Sequence, residues 1–269
     1  MGQLVELLGL PNHPIYVFLT LTGAGFLYFL VLATLSYLVF FVWLKDRFHP
    51  NHVHDPKETR RALKWSFLSI AGNALLMMPV HLGIAGGYSK LYWNPLEHGW
   101  AWLVAQCILI LVITETAIYW IHRWLHSNLL YHRIHAPHHS FVVTTPFAGV
   151  AFNPIDSFMQ ALPHHICIFL FPVNFWVYLV FVSFLTMWAV MIHDRLSFMP
   201  WAGVNYTGHH TLHHWYYDCN FGQFFTFWDR IGGTYRSPET DADDCPADVN
   251  RPHVFKSRRP AVEEHAPAE

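Results

Sequence analysis

The sequence predicts an all-α integral membrane protein of about four transmembrane helices, with a helical cytoplasmic cap that carries a histidine-rich di-metal site. Three observations predict it. Hydrophobic residues make up 53% of the 269 and charged residues only 13%, against about 25% charged in an ordinary soluble domain, so the chain lacks the polar surface to cover itself in water. Its apolar residues gather in runs of bilayer length, about 20 residues each. Eleven of the 21 histidines fall in two short windows next to those runs.

The first apolar run is Ile15 to Leu44. The segment before it, MGQLVELLGLPNHP, lacks the basic region of a secretory signal, and no small-residue cleavage site follows, so the run is expected to stay in the mature protein. The second run, Trp65 to Tyr88, is interrupted by Pro79 and His81, and the third, Trp100 to Ile121, contains Glu115. The region 158–192 is too long for one pass and holds Pro163 and Pro172. It reads as a tight hairpin through the membrane or a partly re-entrant pair. The 45–64 loop holds Lys45, Arg47, Lys57, Arg60, Arg61 and Lys64, whereas 89–99 holds only Lys90. The positive-inside rule then puts 45–64, 122–157 and everything after His193 in the cytoplasm.

The chain divides into membrane helices and a loop (1–121), a catalytic region that includes the hairpin (122–236), and a polar tail (237–269) expected to be mobile. Cys107, Cys167, Cys219 and Cys245 form no CxxC pair, which leaves neither a disulfide framework nor a zinc ribbon. Cys107 and Cys167 lie in apolar runs and read as small buried hydrophobes. A net charge of −2 argues against a nucleic-acid partner.

The histidines carry the chemistry. HRWLH places His122 and His126 at i and i+4. His135, His138 and His139 of HAPHH fall at i, i+3 and i+4, and His210, His213 and His214 of HHTLHH repeat that spacing. On a helix these side chains share one face, and neutral imidazole is a ligand that suits iron, copper and zinc. Pro137 marks the start of a short helix after a bend, which turns His138 and His139 toward His122 and His126. The boxes offer eight histidines and His193 makes nine. One ion takes four ligands or fewer from such a set, so the count fits two, and two metals bridged by oxygen species point to dioxygen chemistry. His81, His98 and His164 read as satisfied core residues, and His49, His52 and His54 as a solvated loop at headgroup level. A metal transporter would carry polar ligands along the middle of its spans. These spans hold chiefly Glu115, His81, His164 and His165, which disfavours that class.

The three boxes resemble those of the fatty acid hydroxylase superfamily of membrane di-iron oxidases and desaturases. TPFAGVAFNPIDSFMQALPHHI (145–166), MIHD (191–194) and YDCNFGQFFTFWDRIGGTYRSP (217–238) bring the resemblance closest to the sterol C5-desaturase (lathosterol oxidase) branch. It covers Glu115 to Pro238. It implies a centre of two Fe ions, with zinc as a substitute in isolated protein, held by His122, His126, His135, His138, His139, His193, His210, His213 and His214. His132 and His209 flank the boxes as candidates for further ligands. Members often carry a histidine where this chain has Asn174. The implied reaction is O2-dependent insertion of a double bond into a Δ7-sterol. The implied alternatives are a sterol C4-methyl oxidase or a hydroxylase of fatty acyl chains, sphingolipids or carotenoids. The sequence has no G-x-G-x-x-G opening a helix and no fused haem domain, so electrons come from a donor in trans: cytochrome b5 and its reductase, or a ferredoxin system. The location is endoplasmic reticulum if eukaryotic or inner membrane if bacterial. The sequence ends HAPAE, without a dilysine retrieval signal. Asp194, Asp218, Asp229 and Glu115 are expected near the ligands, and Trp120, Trp124, Phe141, Phe147, Phe152 and Trp188 are expected to wall a sterol slot.

Overall fold

A computed structural model describes residues 13–196 and 201–240. The N-terminal segment before His13, Cys245 and the tail beyond residue 240 lie outside the described residues. Helix α1 (Pro14–Tyr37) starts on a proline behind the His13 cap and continues through a π-helical turn, Leu38–Trp43, to the single turn α2 (Lys45–Phe48). Asp55 caps α3 (Pro56–Leu76) by accepting from the Lys57 amide, with Pro56 in the first turn. Beyond Met77 the chain bends by 43° into α4 (Met78–Ala85). Pro79 causes the bend, because it lacks the N–H that would bond one turn back. The long helix α5 (Gly99–Leu125) carries the third apolar run past Ile121 to include His122.

Three helices among the described residues are long and apolar enough to cross a bilayer: Pro14–Trp43, Gly99–Leu125 and Phe175–His193. The bent pair Pro56–Ala85 makes a fourth. The apolar residues on their outer faces are exposed at helical spacing, as with Leu27, Val31 and Leu35 on α1 and Val104, Ile108 and Val112 on α5. Such stripes suit contact with lipid. Cys107 is among the exposed residues, whereas Cys167 is buried as expected.

The region 158–192 holds two helices joined through a short strand. Helix α7 (Pro154–Leu170), capped by Asn153, leaves the histidine end. At its far end β2 (Val173–Asn174) pairs in parallel with β1 (Leu91–Tyr92), and Lys90 Nζ donates to Leu170 O. Helix α8 (Phe175–His193) then returns. Asn174 caps it by accepting from Trp176 N and Val177 N, and its side-chain Nδ2 donates to Tyr92 O and Trp93 O. Asn174 thus sits at the opposite end of α8 from His193.

Close backbone approach fixes α7 beside α3. A Cβ on Gly72 would fall 2.3 Å from Pro154 Cβ, the kind of small-residue contact that membrane helices use to pack. Gly72→Ala is therefore expected to destabilise the bundle by about 1–3 kcal/mol through overpacking. A lower thermal midpoint of purified protein would show it, and an unchanged midpoint would exclude it.

At the histidine end Arg61 Nη2 donates to Ser140 O and its guanidinium lies 4.3 Å from the Phe141 ring centre. The basic 45–64 segment and the histidine boxes therefore share one end of the molecule. His52 and His54 pair with Tyr37 Oη there. His49 does not lie in a solvated loop: it is buried and stacks on Phe41.

Candidate metal centre

Five elements bring the boxes together. Helix α5 ends with His122 on its last turn and His126 at its cap. A π-helical turn (Tyr131–His135) reverses the chain into α6 (Ala136–His139), which starts with Pro137 in its first turn, so the bend falls where the sequence places it. His193 closes α8, and α9 (Thr207–Tyr216) presents His210, His213 and His214.

All nine predicted ligand residues fall into two groups. His122, His126, His135, His139 and His213 form one, and His138, His193, His210 and His214 the other, with the ligating atoms of each group within 4.8 Å of one another. The boxes are split between the groups, and the His139 and His214 rings meet across the boundary at 4.6 Å between centres. His132 is exposed and outside both groups. His209 is buried, but its Nε2 faces Tyr235 Oη at 3.4 Å.

The tautomers make the groups fit for cations. His122 Nδ1 donates to Phe221 O and His135 Nδ1 to Asp156 Oδ2, at 2.9 and 2.6 Å. In the neutral rings both Nε2 atoms are then bare lone pairs, yet they face each other at 3.2 Å. In the second group His193 Nδ1 donates to Ala189 O, and its Nε2 lies 3.4 and 3.1 Å from those of His138 and His210. His213 Nδ1 donates to Cys219 O, which leaves its buried Nε2 with no partner. Lone pairs so opposed repel unless a positive ion lies between them. Two nitrogens on one ion at about 2.1 Å stand about 3.0–3.4 Å apart, the spacing found here. Donation of the second ring N–H to a carbonyl or carboxylate is the usual support of a ligating imidazole.

Burial first, and then mutual repulsion, holds His138, His139, His210, His213 and His214 well below the ordinary imidazole value. These groups stay neutral in the folded chain while the unfolded chain takes up protons below about pH 6.5. Lowered folded-state values give stability that is present above pH 6.5 and lost as pH falls. Metal-free protein should therefore lose stability progressively below that point. Melts of chelator-treated protein from pH 8 to pH 5 measure this, and a flat profile would contradict it.

The acidic residues act differently from the sequence expectation. Glu115 approaches no imidazole: its buried carboxylate accepts from Phe224 N and Phe225 N. Asp229 accepts from Phe221 N and Gly222 N. Together they fasten the 221–225 loop that offers the Phe221 carbonyl to His122. Asp194 accepts from Leu196 N and Ser36 Oγ, and Asp218 is exposed. Glu115→Gln keeps one acceptor oxygen and loses the other, so it should lower the thermal midpoint by the equivalent of about 1–3 kcal/mol.

Asp156, the direct carboxylate partner of His135, is the residue that sequence reasoning missed. It also accepts from Gln160 Nε2. Its signal is that no other acidic residue stands between Glu115 and Asp194.

A cavity of about 800 Å³ opens below the metal groups, lined at its head by His122, His138, His193 and His210. Of the six aromatic residues expected to wall a substrate slot, only Phe152 lines it, stacked on His138. Phe141 and Phe147 belong to the packed core, Trp188 is buried with its indole N–H on Gln223 O, and Trp120 and Trp124 face outward.

Residues 107–234 match the family model "Fatty acid hydroxylase". A Delta(7)-sterol 5(6)-desaturase of Gibberella zeae is 37% identical over 224 residues, covering 82% of this chain and 68% of that protein. The lathosterol oxidase of Homo sapiens is 40% identical over 226 residues, covering 82% and 74%. A Delta(7)-sterol 5(6)-desaturase of Eremothecium gossypii is 36% identical over 247 residues, covering 90% and 69%. No solved structure matches.

Proposed function

The chain belongs to the fatty acid hydroxylase family, and on that premise we propose that it is a membrane sterol C5-desaturase, which inserts a C5–C6 double bond into a Δ7-sterol. The observation that carries the reading is the pair of adjoining histidine groups, with opposed bare Nε2 atoms, at the head of a cavity that descends between membrane helices. The nine histidines would hold two irons, which would supply the oxidising power of O2 toward unactivated C–H bonds. The sterol loses one hydrogen each from C5 and C6, and O2 is reduced to two waters with two further electrons and two protons.

The chain's own residues hold and orient. His122, His135, His193 and His213 keep their Nδ1 protons on fixed acceptors, so each Nε2 stays bare toward its group. Phe152 and the ligand rings form the cavity head against which the sterol B ring rests. The cavity walls keep water from the reacting carbons, and substrate arrives from the bilayer.

Electrons come from a donor in trans, cytochrome b5 with its NAD(P)H-dependent reductase or a ferredoxin system. The donor docks at the basic end, where Arg123, Arg133 and Arg236 stand near the boxes. That end is cytoplasmic by the positive-inside rule, in the endoplasmic reticulum of a eukaryote or the inner membrane of a bacterium. Expression in yeast lacking its own sterol C5-desaturase should restore Δ5,7-sterols. Well-expressed protein that yields none, or yields a hydroxylated lipid instead, would overturn the assignment in favour of another oxidation by the same centre.

A further inference from the structure

The cavity has a second polar end. Below the metal groups it is lined by His81 from α4, His164 and His165 from α7, and Tyr178 from α8. His165 is nine residues beyond Asp156 on α7, about 13 Å down the helix axis. His81 and His164 are 6% and 3% exposed, and His81 Nδ1 and His164 Nε2 have no partner among the described residues. These are not the satisfied core histidines that the sequence suggests. A buried polar atom without a partner is costly, and ionisable side chains inside a membrane usually serve a ligand.

The chemistry of that ligand follows from the hydrogen bonds present. His164 Nδ1 donates to Ala161 O, so its Nε2 can only accept, and the missing partner must donate. Tyr178 Oη is already paired with His165 Nδ1. The cluster thus asks for a neutral O–H group rather than a ketone, an ester or a charged head.

The site's position selects the part of the substrate. On the desaturase reading, on which this inference rests, C5 lies at the metal end. The sterol ring hydroxyl is on C3, two carbons from C5, so it too must lie near the metals. The end of the molecule that reaches His164 is the side chain. We propose that the cavity's far end is a hydroxyl-binding subsite, and that this chain takes Δ7-sterols that carry an alcohol at the end of the side chain.

Binding of two probes to iron-loaded protein in lipid nanodiscs tests this: a Δ7-cholestenol with a hydroxyl at the side-chain terminus, and plain Δ7-cholestenol. Affinity is read from quenching of intrinsic tryptophan fluorescence, and products by mass spectrometry. The hydroxylated probe should bind about tenfold more tightly, the ratio for one hydrogen bond of ordinary net strength. The ratio should fall to about one in His164→Leu and persist in His164→Gln, which keeps an acceptor. Equal affinities in the unaltered protein, or a ratio that survives His164→Leu, would overturn the subsite. Selective binding without C5 desaturation of either probe would instead overturn the desaturase reading and leave the subsite standing.

Discussion

His213→Ala is expected to abolish turnover and weaken metal binding at the five-histidine group. His213 is fully buried in the five-histidine group and contributes the only ligand from α9 to it. The second group, His138, His193, His210 and His214, keeps all its members. Residues that act as one unit lose nearly the whole effect when any one is removed, so a fall on the order of a thousandfold or more is the expected size. His138→Ala is the mirror case, weakening the second group and leaving the first. Membrane insertion should survive both changes, since neither residue lies in a bilayer-spanning helix. Metal analysis beside single-turnover assays decides it. Two ions per chain with turnover within a fewfold of normal would remove the residue from the ligand set.

Asp156→Ala should weaken metal binding or activity by about 10–100-fold, the usual cost of losing the partner that orients a ligating imidazole. The substitution strands His135 Nδ1 in a site with no exposure and also frees Gln160 Nε2. Asp156→Asn is milder, because the amide oxygen still accepts from His135, while its NH2 then faces the Gln160 amide and forces that side chain to turn. A graded loss, alanine worse than asparagine, is the signature of orientation. Titration of metal into chelated protein measures it, and equal affinity in all three proteins would show that the His135–Asp156 bond does no such work.

The fold and the candidate site were legible to different depths. Four apolar runs, the division of 158–192 into two segments and nine clustered histidines follow from composition and spacing, because lipid and metal each demand a narrow choice of residue. The partition of those histidines does not. Neighbours such as His138 and His139, or His213 and His214, point to opposite groups, and only the packing of α6 against α9 decides which. Asp156 lies 21 residues from His135 and reads locally as an acid in the first turn of a helix. The Phe221, Cys219 and Ala189 carbonyls are invisible in principle, since every residue has one. Asn174 was legible only as a departure from a family pattern, and its work is to start α8 far from any metal.

The interleaving of the boxes also bears on biosynthesis. The first group draws four residues from before the hairpin and His213 from after it, and the second draws His138 from before and three from after. A ribosome that has not reached residue 213 has therefore completed neither, and the second group also needs residue 214. By then every helix among the described residues that is long and apolar enough to cross a bilayer has already been translated. Metallation of complete groups is therefore expected late in maturation, and a chain truncated between α8 and α9 should accumulate in the membrane with both groups incomplete.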